Sequence, residues 1–113
     1  MSGTDSLKIC KSTLEDLKAK DILTLKIGEN SSFAEWLVIA SATSNRHAKA
    51  LAEKLVDALK VHNKKIIGVE GRDNAEWVLI DCGDIVINIM QQEIRDFYDL
   101  ESLWGDQSLL IVR

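Results

Sequence analysis

Glu70, Asp73, Glu76, Asp81 and Asp84 form an acidic run broken only by Arg72. Two carboxylates on one strand can hold Mg²⁺ for phosphoryl transfer. Asp81 and Asp84 flank a Cys-Gly turn, however, and nothing beside them resembles a phosphate cradle. Turn chemistry with a solvated loop is the simpler account. Asn45-Arg46-His47 is a second candidate, because a helix start attracts anions and Arg46 and His47 would add donors. The preceding Ser41-Ala42-Thr43-Ser44 lacks the glycine-rich pattern of a nucleotide-binding loop, which leaves a capped helix with exposed side chains as the plain reading. Cys10, Cys82, His47 and His62 show no metal-ligand spacing. Two distant cysteines do not read as a disulfide framework either. No catalytic residue, metal or cofactor is expected.

The hairpin that carries the last carboxylates is more informative. Strands are expected over Ala75 to Asp81 and Ile85 to Gln91, and Cys82-Gly83-Asp84 is so short a link that they must run antiparallel. Alternation puts Trp77, Leu79 and Asp81 on one face, and Glu76, Val78 and Ile80 on the other. On the second strand Ile85, Ile87 and Ile89 oppose Val86, Asn88 and Met90. Neither face is cleanly polar, so either both are covered or one waits for a partner. Trp and Tyr are enriched at interface hot spots, and composition alone serves core and interface equally well.

The rest of the chain must position this hairpin. Leu7, Cys10, Leu14 and Leu17 recur at helical spacing, with Asp5 or Ser6 as cap. Ile22 to Ile27 alternates as a strand, and Gly28 to Ser32 turns the chain. Trp36 to Ala42 is apolar throughout, which fits a central strand covered on both sides. Ser44 or Asn45 caps the next helix, whose Ala48, Leu51, Ala52, Leu55, Val56 and Leu59 make one apolar stripe. Lys64 to Val69 is a further strand. The strand–helix–strand order from Trp36 to Val69 places those two strands parallel. Gln92 to Tyr98 and Leu100 to Trp104 read as short helical turns. The tail Gly105 to Arg113 either adds a strand or stays loose. The expected fold is a single α/β domain over 1–113, with a mixed sheet of about five strands and packing helices.

Composition bounds the partners. The 113 residues are 46% apolar and 28% charged, ordinary for a globular protein. No apolar run reaches the roughly 18 residues of a membrane span, and the N-terminus MSGTDSLKICKS lacks a signal-peptide core. Cytoplasm is the default location, without membrane association. A net charge of −4 and a pI near 5.1 argue against a broad nucleic-acid surface. Lys60, Lys64 and Lys65 are too few for a basic stripe.

The segments GVEG, AEWVLIDCGDIVINIM and IRDFYDLESLW, with SSFAEWLVIASATSNRHAKALAEKL upstream, closely resemble the ribosomal silencing factor family, also called Iojap. The resemblance spans roughly residues 7 to 104. Cys82 and Ile85 stand where family members vary among apolar residues, and Asn88 stands where His is common. The resemblance implies a nucleotidyltransferase-like α/β fold without catalysis, since the Gly-Ser and paired-carboxylate signature is missing. It implies binding to large-subunit ribosomal protein uL14 and a block on subunit joining that lowers translation when nutrients are short. It also implies self-association, and an apolar sheet surface would permit a homodimer. Carried over by position, Trp77, Leu79, Asp81, Asn88, Met90 and Tyr98 would contact uL14, with Glu70, Asp73, Glu76 and Arg95 at the rim. Trp104 would close the core, and Trp36 suits core or interface. The alternatives are a residual nucleotidyltransferase-like enzyme using Arg46, Asp81 and Asp84, or an rRNA-binding assembly factor.

Overall fold

The computed structural model describes residues 3–27, 34–99 and 111–112. The expected turn at Gly28–Ser32, the helical turn to Trp104 and most of the tail lie outside these residues. Helix α1 spans Gly3–Asp16, β1 Lys20–Lys26, β2 Trp36–Ala42, α2 Asn45–Val61, β3 Gly68–Glu70, β4 Trp77–Asp81, β5 Ile85–Gln91, α3 Gln92–Tyr98 and β6 Ile111–Val112. The sheet is mixed, in the order β3-β4-β5-β2-β1-β6. Its five main strands match the expected number, although the strand expected over Lys64 to Val69 forms only at Gly68–Glu70, and the two tail residues of β6 add an edge beside β1.

Periodicity explains both long helices. In α1 the stripe Leu7, Cys10 and Leu14 is buried. The helix starts at Gly3, so Ser6 is not its cap but a buried residue near its start. In α2, Ser44 accepts from the His47 N–H at 3.0 Å and caps the first turn. Ala48, Leu51, Ala52, Leu55 and Leu59 are buried below it, and each fully buried leucine contributes about 1.5–3 kcal/mol of transfer free energy. His47 joins the two helices. Its Nδ1 accepts from the Thr43 N–H at 2.9 Å, which makes Nε2 the donor to the Leu17 carbonyl at 2.8 Å.

Strand β2 is buried from Leu37 to Ala42, as its unbroken apolar run requires. Its parallel partner is β5, with Trp36 opposite Ile85 and Ala42 opposite Gln91. Strand β3 points the same way as β2, but the hairpin lies between them. The physical reason is burial. Six of the seven β5 residues are buried, so β5 needs neighbours on both sides, whereas the three partly exposed residues of β3 tolerate an edge.

The two sheet faces differ. Val38, Ala40, Val78, Ile80, Ile87 and Ile89 pack under α1 and α2. Trp36 packs against this same core, with Lys26 Nζ 5.9 Å from its ring centre. The opposite face holds Leu23, Leu25, Leu37, Ile39, Val86 and Met90, with Ile94 of α3 packed on it. Trp77 and Leu79 border that second cluster and are only half-buried.

Candidate docking surface

The site begins with how the start of β4 is held. Gly71, at φ +84°, turns the chain against the strand so closely that a Cβ would lie 2.1 Å from the Trp77 carbonyl oxygen. Ala75, at φ 60°, closes this loop by donating to Gly71 O at 2.9 Å. Gln91 then clamps it. Its backbone N–H donates to Glu76 O at 3.0 Å, and its side chain donates to Ala75 O at 3.1 Å and to Asn45 Oδ1. Asn45 in turn donates to Asn74 O at 3.0 Å. The end of β5 and the first residue of α2 therefore fix where Trp77 emerges.

Trp77, Leu79 and Asp81 share a face with their cross-strand partners Met90, Asn88 and Val86. Trp77 Nε1 donates to Asn88 Oδ1 at 2.8 Å. Its ring centre lies 4.9 Å from that of Tyr98, tilted by 52°, and Tyr98 makes an edge contact with Phe97 at 5.0 Å. Phe97 is 79% exposed and Tyr98 52%. Three aromatic rings thus form one open patch at the end of the hairpin distant from its turn. Aromatic pairs in this geometry add about 0.5–1.5 kcal/mol beyond their area burial.

Arg95 corrects one expectation. It is not a rim residue but only 5% exposed. Its Nη1 donates to Asp21 O and to Ser41 Oγ, both at 2.7 Å. A helix of seven residues is too short to be stable by itself. Arg95 and Ile94 pin α3 to the sheet, and Asp99, at φ 49°, ends it with its N–H on Arg95 O. The aromatic tip is held by this anchor.

The other site residues separate by depth. Asn88 and Met90 are buried at 1% and 0% exposure, so they support Trp77 from behind. Leu79 is half-buried beside them. Asp81 sits at the far end of β4, where its Oδ1 accepts from the Gly83 N–H at 2.9 Å and shapes the hairpin turn. Glu70 and Glu76 are exposed, Glu70 opposite Leu79 and Glu76 directly before Trp77. Asp73 instead lines a shallow groove with Arg72, Lys49 and Glu53, beside α2 on the other side of the sheet. Phe97 is a member of the patch that the sequence does not single out. Its place next to Tyr98 near the end of α3 is the available signal.

The catalytic alternative does not assemble. The register puts Asp81 opposite Val86 and Ala42 opposite Gln91, five residues further along β5. Asp81 and the start of α2 are therefore separated by roughly 17 Å of strand. An open crevice of about 400 Å³ at the carboxyl ends of β2 and β5 is lined by Lys20, Asp21, Thr43 and Glu93 among others, but by none of Arg46, Asp81 and Asp84. Among the described residues no group of three or more His, Cys, Asp or Glu side chains is placed to hold a metal ion.

Both thiols are poor nucleophiles. Burial pushes Cys10 up to about 12, with Cys82 nearby adding to the shift. Burial also raises Cys82, to about 11, helped by Asp81 and Asp84. Above the ordinary value of 9.0 the unfolded chain loses the Cys10 proton while the folded chain keeps it. The Cys10 contribution to stability should therefore be constant below about pH 9 and fall between about pH 9 and pH 12, by up to ~1.4 kcal/mol per pH unit. Urea titrations of the parent and Cys10→Ala check this, with the steeper alkaline decline in the parent.

The chain is thus an α/β domain whose hairpin carries an exposed aromatic patch, with one buried thiol, one half-buried thiol and scattered carboxylates. The chain belongs to the ribosomal silencing factor family. The family model described as ribosomal silencing factor during starvation matches residues 2–112. Ribosomal silencing factor RsfS of Chromobacterium violaceum is 42% identical over 100 residues, covering 88% of this chain and 82% of that protein. RsfS of Bacillus subtilis is 34% identical over 109 residues, covering 96% and 92%. A mouse relative, named mitochondrial assembly of ribosomal large subunit protein 1, is 34% identical over 96 residues, covering 82% of this chain and 42% of its own. A crystal structure of a Chromobacterium violaceum protein superposes with a TM-score of 0.91 at 40% identity, covering 93% of this chain and 88% of that one. These names attach the family to ribosome silencing and assembly.

Proposed function

We propose that this chain docks on ribosomal protein uL14 of the large subunit and blocks association with the small subunit by occupying that surface. Translation would fall without any bond being made or broken. The observation that carries the reading is the Trp77–Tyr98–Phe97 patch, open to solvent yet held by Asn88, Arg95 and the Gln91–Asn45 clamp. Large, rigid aromatic side chains lose little entropy on contact and dominate interface energetics. Glu70 and Glu76 at the edge of the patch suit a basic ribosomal partner, where they would speed encounter and set register more than affinity. A protein acting on free subunits works where subunits join, which for a chain this similar to bacterial relatives is the cytoplasm. The mouse relative's name favours a second role in large-subunit assembly, which the same docked position would serve.

Calorimetric titration of purified uL14 with the whole chain tests the reading. Saturable binding, competed by isolated large subunits, is expected. Absence of binding to uL14 together with binding to large subunits would move the partner elsewhere on the subunit.

A further inference from the structure

Among the described residues, two buried polar atoms meet no hydrogen-bond partner in the protein: Thr24 Oγ1 and Asn88 Nδ2. A hydroxyl rotates, but the Asn88 amide cannot turn freely. Trp77 Nε1 only donates, so the Asn88 atom 2.8 Å away must be the oxygen. Nδ2 is then directed away from the indole, with two N–H groups and no protein acceptor. An unmet buried donor costs stability that an apolar residue of similar size would not. The sheet does not need an amide here. Val86 and Met90 fill the neighbouring positions on the same face of β5 with apolar side chains.

We propose that Asn88 is the specificity-determining donor of the docking surface, its Nδ2 donating to a main-chain carbonyl oxygen of the partner protein. The inference rests on the docking reading above. Leu79 lies opposite Asn88 on β4, and Trp77 holds the amide from the next position on that face. Leu79 is half-buried, so it is the side chain that yields to a partner segment while Trp77 stays in place. The Trp77 bond keeps Oδ1 occupied, which presents Nδ2 alone to the newcomer. A neutral carbonyl fits this apolar place. A carboxylate would be desolvated beside Glu70, which stands opposite Leu79 on β3. Surfaces offering only apolar groups or further donors would leave Nδ2 unmet and be rejected, since a site with an unpaired polar group discriminates more sharply than one with a missing methylene.

Asn88→Leu in the whole chain separates this role from a structural one. The free variant should unfold at the same urea concentration as the parent or a higher one, while its affinity for large subunits falls at least about tenfold. Unchanged affinity overturns the proposal, as does a loss no larger than that of Trp77→Phe, which removes only the Trp77–Asn88 bond. A second measurement needs no variant to fold: the side-chain amide resonance of Asn88 in the ¹⁵N-labelled parent, titrated with purified uL14. A downfield proton shift with slower solvent exchange is expected. An unmoved resonance at saturation overturns the proposal, as does a long-lived water detected on Nδ2 in the free protein. Parent and Trp77→Ala serve as references. If the parent does not bind large subunits, the docking reading itself fails. If only Trp77→Ala loses binding and Asn88→Leu keeps it, the docking reading stands and the Asn88 inference alone falls.

Discussion

Trp77→Ala should weaken binding to the large subunit by roughly 30- to 1,000-fold, the loss of about 2–4 kcal/mol that a central aromatic anchor typically carries. Three interactions vanish with this one side chain, which is why the effect is large. The indole body supplies buried area, its ring meets Tyr98 at 4.9 Å, and its N–H fixes Asn88 at 2.8 Å. Trp77→Phe should fall between parent and alanine, because it keeps a ring beside Tyr98 but releases the Asn88 oxygen. Ile67→Ala is the control. Ile67 is 61% exposed, but its N–H bonds Asp81 O at the turn end of β4, away from Trp77. Its removal should leave affinity unchanged. Affinities from sedimentation or calorimetry, with circular dichroism confirming the fold of each variant, decide the comparison. Equal losses in all three variants would deny Trp77 any special part.

Gly71→Ala should destabilise the fold by about 2–4 kcal/mol, a large loss for a single methyl group. Two effects add. A non-glycine residue at φ +84° pays for the left-handed conformation, and its Cβ would sit 2.1 Å from the Trp77 carbonyl oxygen. Backbone cannot yield as a flexible side chain does, so the loop must withdraw from β4. That withdrawal pulls on the Ala75 and Glu76 carbonyls that Gln91 holds. The variant should therefore also bind large subunits more weakly than its residual folded fraction predicts. Gly83→Ala makes a useful contrast. It shares a φ of +84°, but its Cβ would meet only the Ile67 Cδ1 at 3.4 Å, so the conformational cost acts nearly alone. Urea midpoints of the two variants separate strain from collision.

Much of the fold is legible because burial leaves a period in the sequence. The stripe of α2 and the unbroken run of β2 each announce how many sides are covered. The Cys82-Gly83-Asp84 turn announces an antiparallel pair. Sheet order is less accessible, because local pattern does not say which strands become neighbours. The hairpin's place between β2 and β3 follows from comparing burial demands across the whole sheet. At the site, alternation gives the face but not the depth. The resemblance groups Trp77 with Asn88 and Met90 without saying that the latter two lie beneath the surface. Arg95 is hard to place for a related reason. A charged residue on a short helix reads as solvated, and the two groups that satisfy it, Asp21 O and Ser41 Oγ, are 74 and 54 residues away in sequence. Asp73 reads as a rim residue from its place in the acidic run, yet the loop turns it toward α2.

If the aromatic patch closes the large subunit to the small one, subunit joining itself is the readout. Purified small and large subunits should be mixed with rising amounts of the chain and resolved on a sucrose gradient. The joined-ribosome peak should decline, the chain should travel with the large subunit, and Trp77→Ala should abolish both effects. An undiminished joined peak with the chain left at the top of the gradient would contradict this role of the patch.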